Sequence, residues 1–91
     1  MNTQYFIYAI EVEKTGSITQ AANNLFMSQP TLSKAIRDME SSVGFPVFKR
    51  TSKGVVPTQR GTEFLIYAKK IAAQLQNCLL YTSPSPRDRQ K

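Results

Sequence analysis

Residues 16–37, GSITQAANNLFMSQPTLSKAIR, read as two short helices joined by a tight turn. Ser17 suits the first N-cap, because its hydroxyl can accept a backbone N–H that the opening helical turn leaves unpaired. Ile18, Ala21, Ala22 and Leu25 then recur at i, i+3, i+4 and i+7, one stripe of a helix. Ser28 restarts the pattern as a second N-cap, and Pro30 falls in that helix's first turn, where its missing N–H breaks no internal bond. Leu32, Ile36, Met39 and Val43 are expected to form the buried stripe of this second helix.

The opposite face of the second helix is polar and cationic. Gln29, Ser33 and Arg37 lie four residues apart in one row, Pro30 and Lys34 in the next, and Thr31 flanks them; the first carboxylate is Asp38. A helix that enters a DNA major groove needs donors and acceptors of this reach at its N-terminal end. The small Ala21 and Ala22 let the first helix cross the second closely. Taken alone, the same residues also describe two solvated surface helices of a small bundle. The rest of the chain decides between these readings.

Ninety-one residues suffice for one small domain with a modest core. Twelve Lys and Arg against six Asp and Glu give a formal net charge of +6. The charge is uneven: residues 1–33 carry a net −1, whereas residues 34–70 hold eight bases against three acids, a net +5. A concentrated positive field favours a polyanion such as nucleic acid, or an anionic membrane surface. No apolar run approaches the roughly 20 residues that span a bilayer, and the start lacks the pattern of a secretion signal. The single Cys78 cannot form an internal disulfide, which fits a reducing cytoplasm. Histidine, the commonest metal ligand and acid–base residue, is absent from the sequence. Paired carboxylates, a metal-ligand cluster and a glycine-rich phosphate loop are not found either, so neither an enzyme nor a cofactor is expected.

In chain order, residues 2–15 form a helix with Asn2 or Thr3 as cap. Tyr5, Phe6, Ala9, Ile10 and Val12 make its apolar side, Glu11, Glu13 and Lys14 face water, and Tyr8 lies off the stripe. Gly16 ends it in the left-handed conformation. The two helices already described occupy 18–26 and 29–43, with Met27 a hydrophobic plug in the turn and Gly44 closing the second. VFKRTSKGVVPT (47–58) reads as a two-stranded hairpin around Thr51–Gly54, and Pro57 restricts its second strand to an edge. Lys49, Arg50 and Lys53 gather on and beside its tip. Cations there protect an exposed strand edge; after a helix-turn-helix they also suit a wing resting on phosphates or in a minor groove.

Thr58 caps a last helix through Leu80. Leu65, Ala68, Ala72, Leu75 and Leu79 follow a 3-4 repeat, the spacing of a seam between long helices, with Phe64, Ile71 and Cys78 widening it. The helix exceeds what this core requires. Its C-terminal half either pairs with a second copy or packs on another part of a longer protein, and the seam spacing favours a homodimer. Gly61, at a cost of about 1 kcal/mol in helix propensity, marks a close backbone approach.

The order S-x-T-x-A-A-x-x-L, S-Q-P-x-L-S-K-x-I, Glu40, Gly44, F-K-R, hairpin, P-T-x-x-G and long helix resembles the N-terminal DNA-binding domain of LysR-type transcriptional regulators, over residues 1–77. The resemblance implies a mainly α winged helix-turn-helix at 1–58, with a small β-hairpin wing, and a dimerisation helix at 59–80. It implies double-stranded DNA as partner, base reading by Ser28, Gln29, Pro30, Thr31, Ser33 and Lys34, and backbone or wing contacts by Arg37, Lys49, Arg50, Lys53 and Arg60. Pro57 and Arg60 replace the leucine and alanine usual in that segment, and Arg60 thereby offers a further phosphate contact. Intact members carry an effector-binding domain, so a small-molecule effector is expected only in a full-length protein. The final stretch CLLYTSPSPRDRQK changes character, with Pro84 and Pro86 breaking the helix, and resembles translated sequencing-adapter read-through. Residues 81–91 are therefore expected to be disordered and foreign to the domain. A winged helix also serves protein–protein contact in some proteins, which keeps an interaction module as the alternative function.

Overall fold

The chain runs α1 (Gln4–Thr15), α2 (Ile18–Asn24), α3 (Gln29–Val43), β1 (Phe48–Thr51), β2 (Gly54–Pro57) and α4 (Gln59–Thr82) in a computed structural model that describes residues 3–82, with side-chain surroundings over 3–74. The architecture is the expected one: helices around one core, with an antiparallel hairpin at the side. The core is built from Ala9 and Val12 of α1, Ala21 and Ala22 of α2, Leu32, Ile36 and Met39 of α3, Val47, Val55, and Leu65 of α4. Ala21 and Ala22 are 0% and 1% exposed, which is what allows α2 to lie directly on its neighbours.

The helix boundaries have identifiable chemical causes. The Ser17 hydroxyl accepts the Gln20 N–H at 3.1 Å, and Ser28 accepts that of Thr31 at 3.2 Å. Gly16 and Gly44 close α1 and α3 at φ 70° and 86°, the left-handed region open to a residue without Cβ. Thr3 precedes α1 but has helical dihedrals and makes no side-chain cap bond, so capping by its hydroxyl is not realised; Asn2 lies outside the described residues. Helix α2 ends at Asn24 rather than residue 26, because Phe26 turns the chain at φ 58° and Met27 N–H reaches back to Ala22 O at 2.9 Å. Met27 is half-buried against the core, as expected of a plug in the turn.

The hairpin registers Phe48 with Pro57, Lys49 with Val56, Arg50 with Val55 and Thr51 with Gly54. Val47, expected in the first strand, precedes it and is fully buried. Its carbonyl accepts the Thr58 N–H at 2.9 Å, while Thr58 Oγ1 accepts the Gly61 N–H at 2.9 Å and donates to Pro46 O at 2.7 Å. One threonine thus caps α4 and ties it to the segment entering the hairpin. On the other side, Val55 N–H donates to Gly16 O at 3.0 Å, anchoring the second strand to the α1–α2 corner.

Helix α4 departs from the reading of a free seam. Leu65 and Ala68 are 1% and 0% exposed, buried by this chain's own core rather than left for a second copy. Phe6 stacks on Phe64 at 5.8 Å between centroids, and Lys69 Nζ meets Glu13 Oε1 at 2.9 Å, both joining α1 to α4. Ala72 is half-buried; the side chains of Leu75, Cys78 and Leu79 lie outside the described set. Exposed apolar surface falls instead on Ile66, Tyr67 and Ile71. Tyr8, expected off the stripe, packs partly against the core and donates from its hydroxyl to Gln4 Oε1 at 2.8 Å. Of the tail expected at 81–91, Tyr81 and Thr82 are still helical and the remainder lies outside the described residues.

Candidate nucleic-acid interface

Helix α3 presents its N-terminal turn to solvent because its stripe Leu32–Ile36–Met39 is held in the core behind it. Ser28, Pro30, Thr31 and Lys34 are exposed, and Gln29 is half-buried. Ser28 Oγ donates to Thr31 Oγ1 at 2.6 Å, so both hydroxyls are fixed at the edge of the turn. Lys34 Nζ pairs with Asp38 Oδ2 at 3.1 Å with both side chains largely exposed, a surface pair worth little to stability. Ser33 is the exception to the expected row. It is only 8% exposed, and Gln29 Nε2 donates to its Oγ at 2.8 Å, so the two residues meet each other rather than standing side by side.

The wing supplies the second surface. Arg37, Lys49, Arg50 and Lys53 are exposed and have no salt-bridge partner among the described residues, so their charge is available to an anion from outside. Arg37, Lys49 and Arg50 share the wall of a cleft of about 170 Å³ between α3 and the hairpin, with Ser33 at its inner side. The fold therefore brings Ser33 and Arg37 of α3 to the same cleft as the cations of β1, with Lys53 at the hairpin turn beyond it. Arg60 is elsewhere: its guanidinium lies over the Phe45 ring at 4.3 Å, past the C-terminal end of α3. The 15 residues of α3 put its N-terminal turn about 22 Å from that end.

Sequence reasoning did not assign a task to Glu40, matched only as one letter of the pattern. Its Oε2 accepts the N–H of Val47 at 2.8 Å and of Phe48 at 3.1 Å. This carboxylate sets the angle of the wing against α3. A signal was present: an acid in the C-terminal half of a helix stands at the wrong end of the dipole, so its place calls for another partner.

A small helical core, a crossed helix pair with a polar second helix, and a cationic hairpin beside it define a winged helix-turn-helix domain of the nucleic-acid-binding class. Residues 4–62 match the family described as bacterial regulatory helix-turn-helix protein, lysR family, and the chain belongs to that family. It is similar to the transcriptional regulator BudR of Klebsiella aerogenes, 40% identical over 73 residues that cover 80% of this chain and 51% of BudR. The hca operon transcriptional activator HcaR of Escherichia coli K12 is 38% identical over 80 residues, covering 88% of this chain and 27% of HcaR. The chain thus spans about half, or less, of the length of these relatives. The BenM DNA-binding domain in complex with benA site 1 DNA superposes with a TM-score of 0.87 at 28% identity, over 98% of this chain and 100% of that one. The matched relatives are named as transcriptional regulators, and no described helix is long and apolar enough to cross a membrane.

Proposed function

We propose that this chain is the sequence-specific DNA-binding module of a LysR-type transcriptional regulator and is not an enzyme. The N-terminal turn of α3, with Ser28, Gln29, Pro30, Thr31 and Lys34, enters the major groove. Arg37, Lys49, Arg50 and Lys53 grip backbone and minor groove beside it. The observation that carries this reading is the exposed, capped N-terminal turn of α3 on a helix whose Arg37 shares a cleft with the unpaired wing cations Lys49 and Arg50. It is supported by the likeness to the BenM domain, whose structure is a DNA complex. Such a module works on chromosomal DNA, in the bacterial cytoplasm. The domain comprises residues 1–58, followed by a connecting helix at 59–80; in an intact regulator a small-molecule effector would bind a further domain.

Two copies address a pseudo-palindromic site, joined along α4. The contact surface of this homodimer is the exposed Ile66, Tyr67 and Ile71 with the helix beyond, rather than Leu65 and Ala68, which the monomer core consumes. Symmetric readers of this kind meet half-sites about one helical turn apart or a multiple of it, near 34 Å.

Salt dependence tests the reading. Binding of a labelled duplex is measured between about 50 and 200 mM salt, where counterion release gives a steep linear fall of log K. Arg50→Ala and Lys53→Ala should each weaken all sequences alike and reduce the slope by about 1. A slope near zero for the wild type would contradict DNA binding through this face.

A further inference from the structure

We propose that the cleft between α3 and the hairpin binds a small amphiphilic oxyanion, an apolar body of about six carbons carrying one carboxylate or phosphate, and that its occupant excludes DNA from Arg37 and Arg50. The second half of the proposal rests on the DNA-binding reading above; the first does not.

Two stripes of residues face each other across this cleft. On α3, Ser33, Ile36, Arg37 and Glu40 recur at i, i+3, i+4 and i+7, one side of the helix. On the hairpin, Phe48 and Arg50 are two apart in β1, and Arg50 is registered with Val55 of β2, so the three share one face. Lys49 is registered with Val56 and alternates to the other face. Ile18, the first residue of α2, completes the lining. Ile36 and Val55 are buried, whereas Arg37 and Arg50 are exposed, so the floor is apolar and the mouth cationic.

Neither guanidinium has an ion-pair partner among the described residues, although Glu40 stands one turn from Arg37 on the same stripe. The Glu40 carboxylate is committed to the N–H groups of Val47 and Phe48. Two uncompensated arginines therefore border an apolar floor. A guanidinium is a planar fork that matches carboxylate or phosphate oxygens in pairs. A phosphate held on a duplex meets the cations but leaves the floor uncovered, and so does a bare inorganic anion. An amphiphile of matched size satisfies both. The cleft volume of about 170 Å³ sets that size, because an apolar cavity of about 150 Å³ takes benzene, a body of six carbons. Its anionic end occupies the same two arginines that the duplex backbone would use, so those contacts are lost to DNA while it is bound.

The test titrates the whole chain with hexanoate and with hexyl phosphate at fixed ionic strength, following methyl and arginine Nε signals by nuclear magnetic resonance. Acetate and hexan-1-ol supply the anion and the apolar body separately. Shifts should map to Ile18, Ile36, Val55, Arg37 and Arg50. At least one six-carbon anion should bind roughly tenfold tighter than acetate and hexan-1-ol, the equivalent of about two buried CH₂ groups. The tighter of the two names the oxyanion. Arg37→Gln and Arg50→Gln, both at exposed positions, should each weaken it by about tenfold. Lys70→Ala removes the same charge from α4, away from the cleft, and should leave that affinity unchanged. With a labelled duplex, saturating ligand should reduce the salt slope by about 2, one for each arginine withdrawn. Six-carbon anions that bind no tighter than acetate and hexan-1-ol would overturn the site. So would shifts that map elsewhere, or an affinity that survives both arginine changes. Binding in the cleft with an unchanged salt slope would overturn the exclusion of DNA. A chain that takes the ligand in the cleft but binds no DNA at all would overturn the DNA-binding reading and leave the site standing.

Discussion

Gly61 lies against the backbone of Val47 so closely that a Cβ built on the glycine would overlap the Val47 carbonyl oxygen. That oxygen already accepts the Thr58 N–H, so it is not free to withdraw. The start of α4 and the entry to the hairpin are therefore packed backbone to backbone. Gly61→Ala should destabilise the domain by about 3 kcal/mol, the upper range for overpacking, although alanine is the better helix former by about 1 kcal/mol. Urea unfolding checks the balance: a raised midpoint would contradict the contact.

Glu40 should be the most costly acid to remove. Its carboxylate serves the N–H groups of Val47 and Phe48 together, and hydrogen bonds to a charged group are worth about 1.5–3 kcal/mol. Glu40→Ala should lower stability by about 3 kcal/mol, and Glu40→Gln by less, since its amide oxygen still accepts. Amide exchange should quicken first at Val47 and Phe48. Equal stability of all three proteins would refute the anchor.

Phe26 points the other way. It is 97% exposed and holds φ 58°, a left-handed conformation that costs a residue with a Cβ about 1–2 kcal/mol. Phe26→Gly should raise the thermal midpoint by the equivalent of about 1 kcal/mol, because almost no buried contact is lost. A fall in the midpoint would mean that the ring packs in solution.

Much of this was legible in the sequence, and the failures have a common cause. Local chemistry read well: Ser17, Ser28 and Thr58 as caps, Gly16 and Gly44 as stops, Gly61 as a close approach, and a hairpin turning at Thr51–Gly54. Periodicity alone does not say what covers a stripe. Leu65 and Ala68 have seam spacing, yet this chain itself buries them; Ser33 sits in a polar row, yet the rotation of α3 turns it inward. Phe26 was invisible because a left-handed residue in this turn is normally announced by glycine or asparagine.

The same distinction separates the core positions of α4 from its exposed face. Leu65→Ala should cost about 2–5 kcal/mol of stability, as for a buried leucine. Ile66→Glu with Ile71→Glu, both on exposed positions, should leave the unfolding curve nearly unchanged and shift sedimentation to the monomer. Self-association that survives this pair would remove α4's exposed face from the dimer.

Selection of sites from a randomised duplex library, run in parallel with wild type and Gln29→Ala, tests the assignment of α3 as the base reader most directly. Wild type should enrich paired half-sites, and Gln29→Ala should retain them while losing the preference at one base pair in each half, with a loss of about 1–3 kcal/mol on the wild-type site. Uniform weakening of every sequence, with all positional preferences intact, would contradict base reading by this helix.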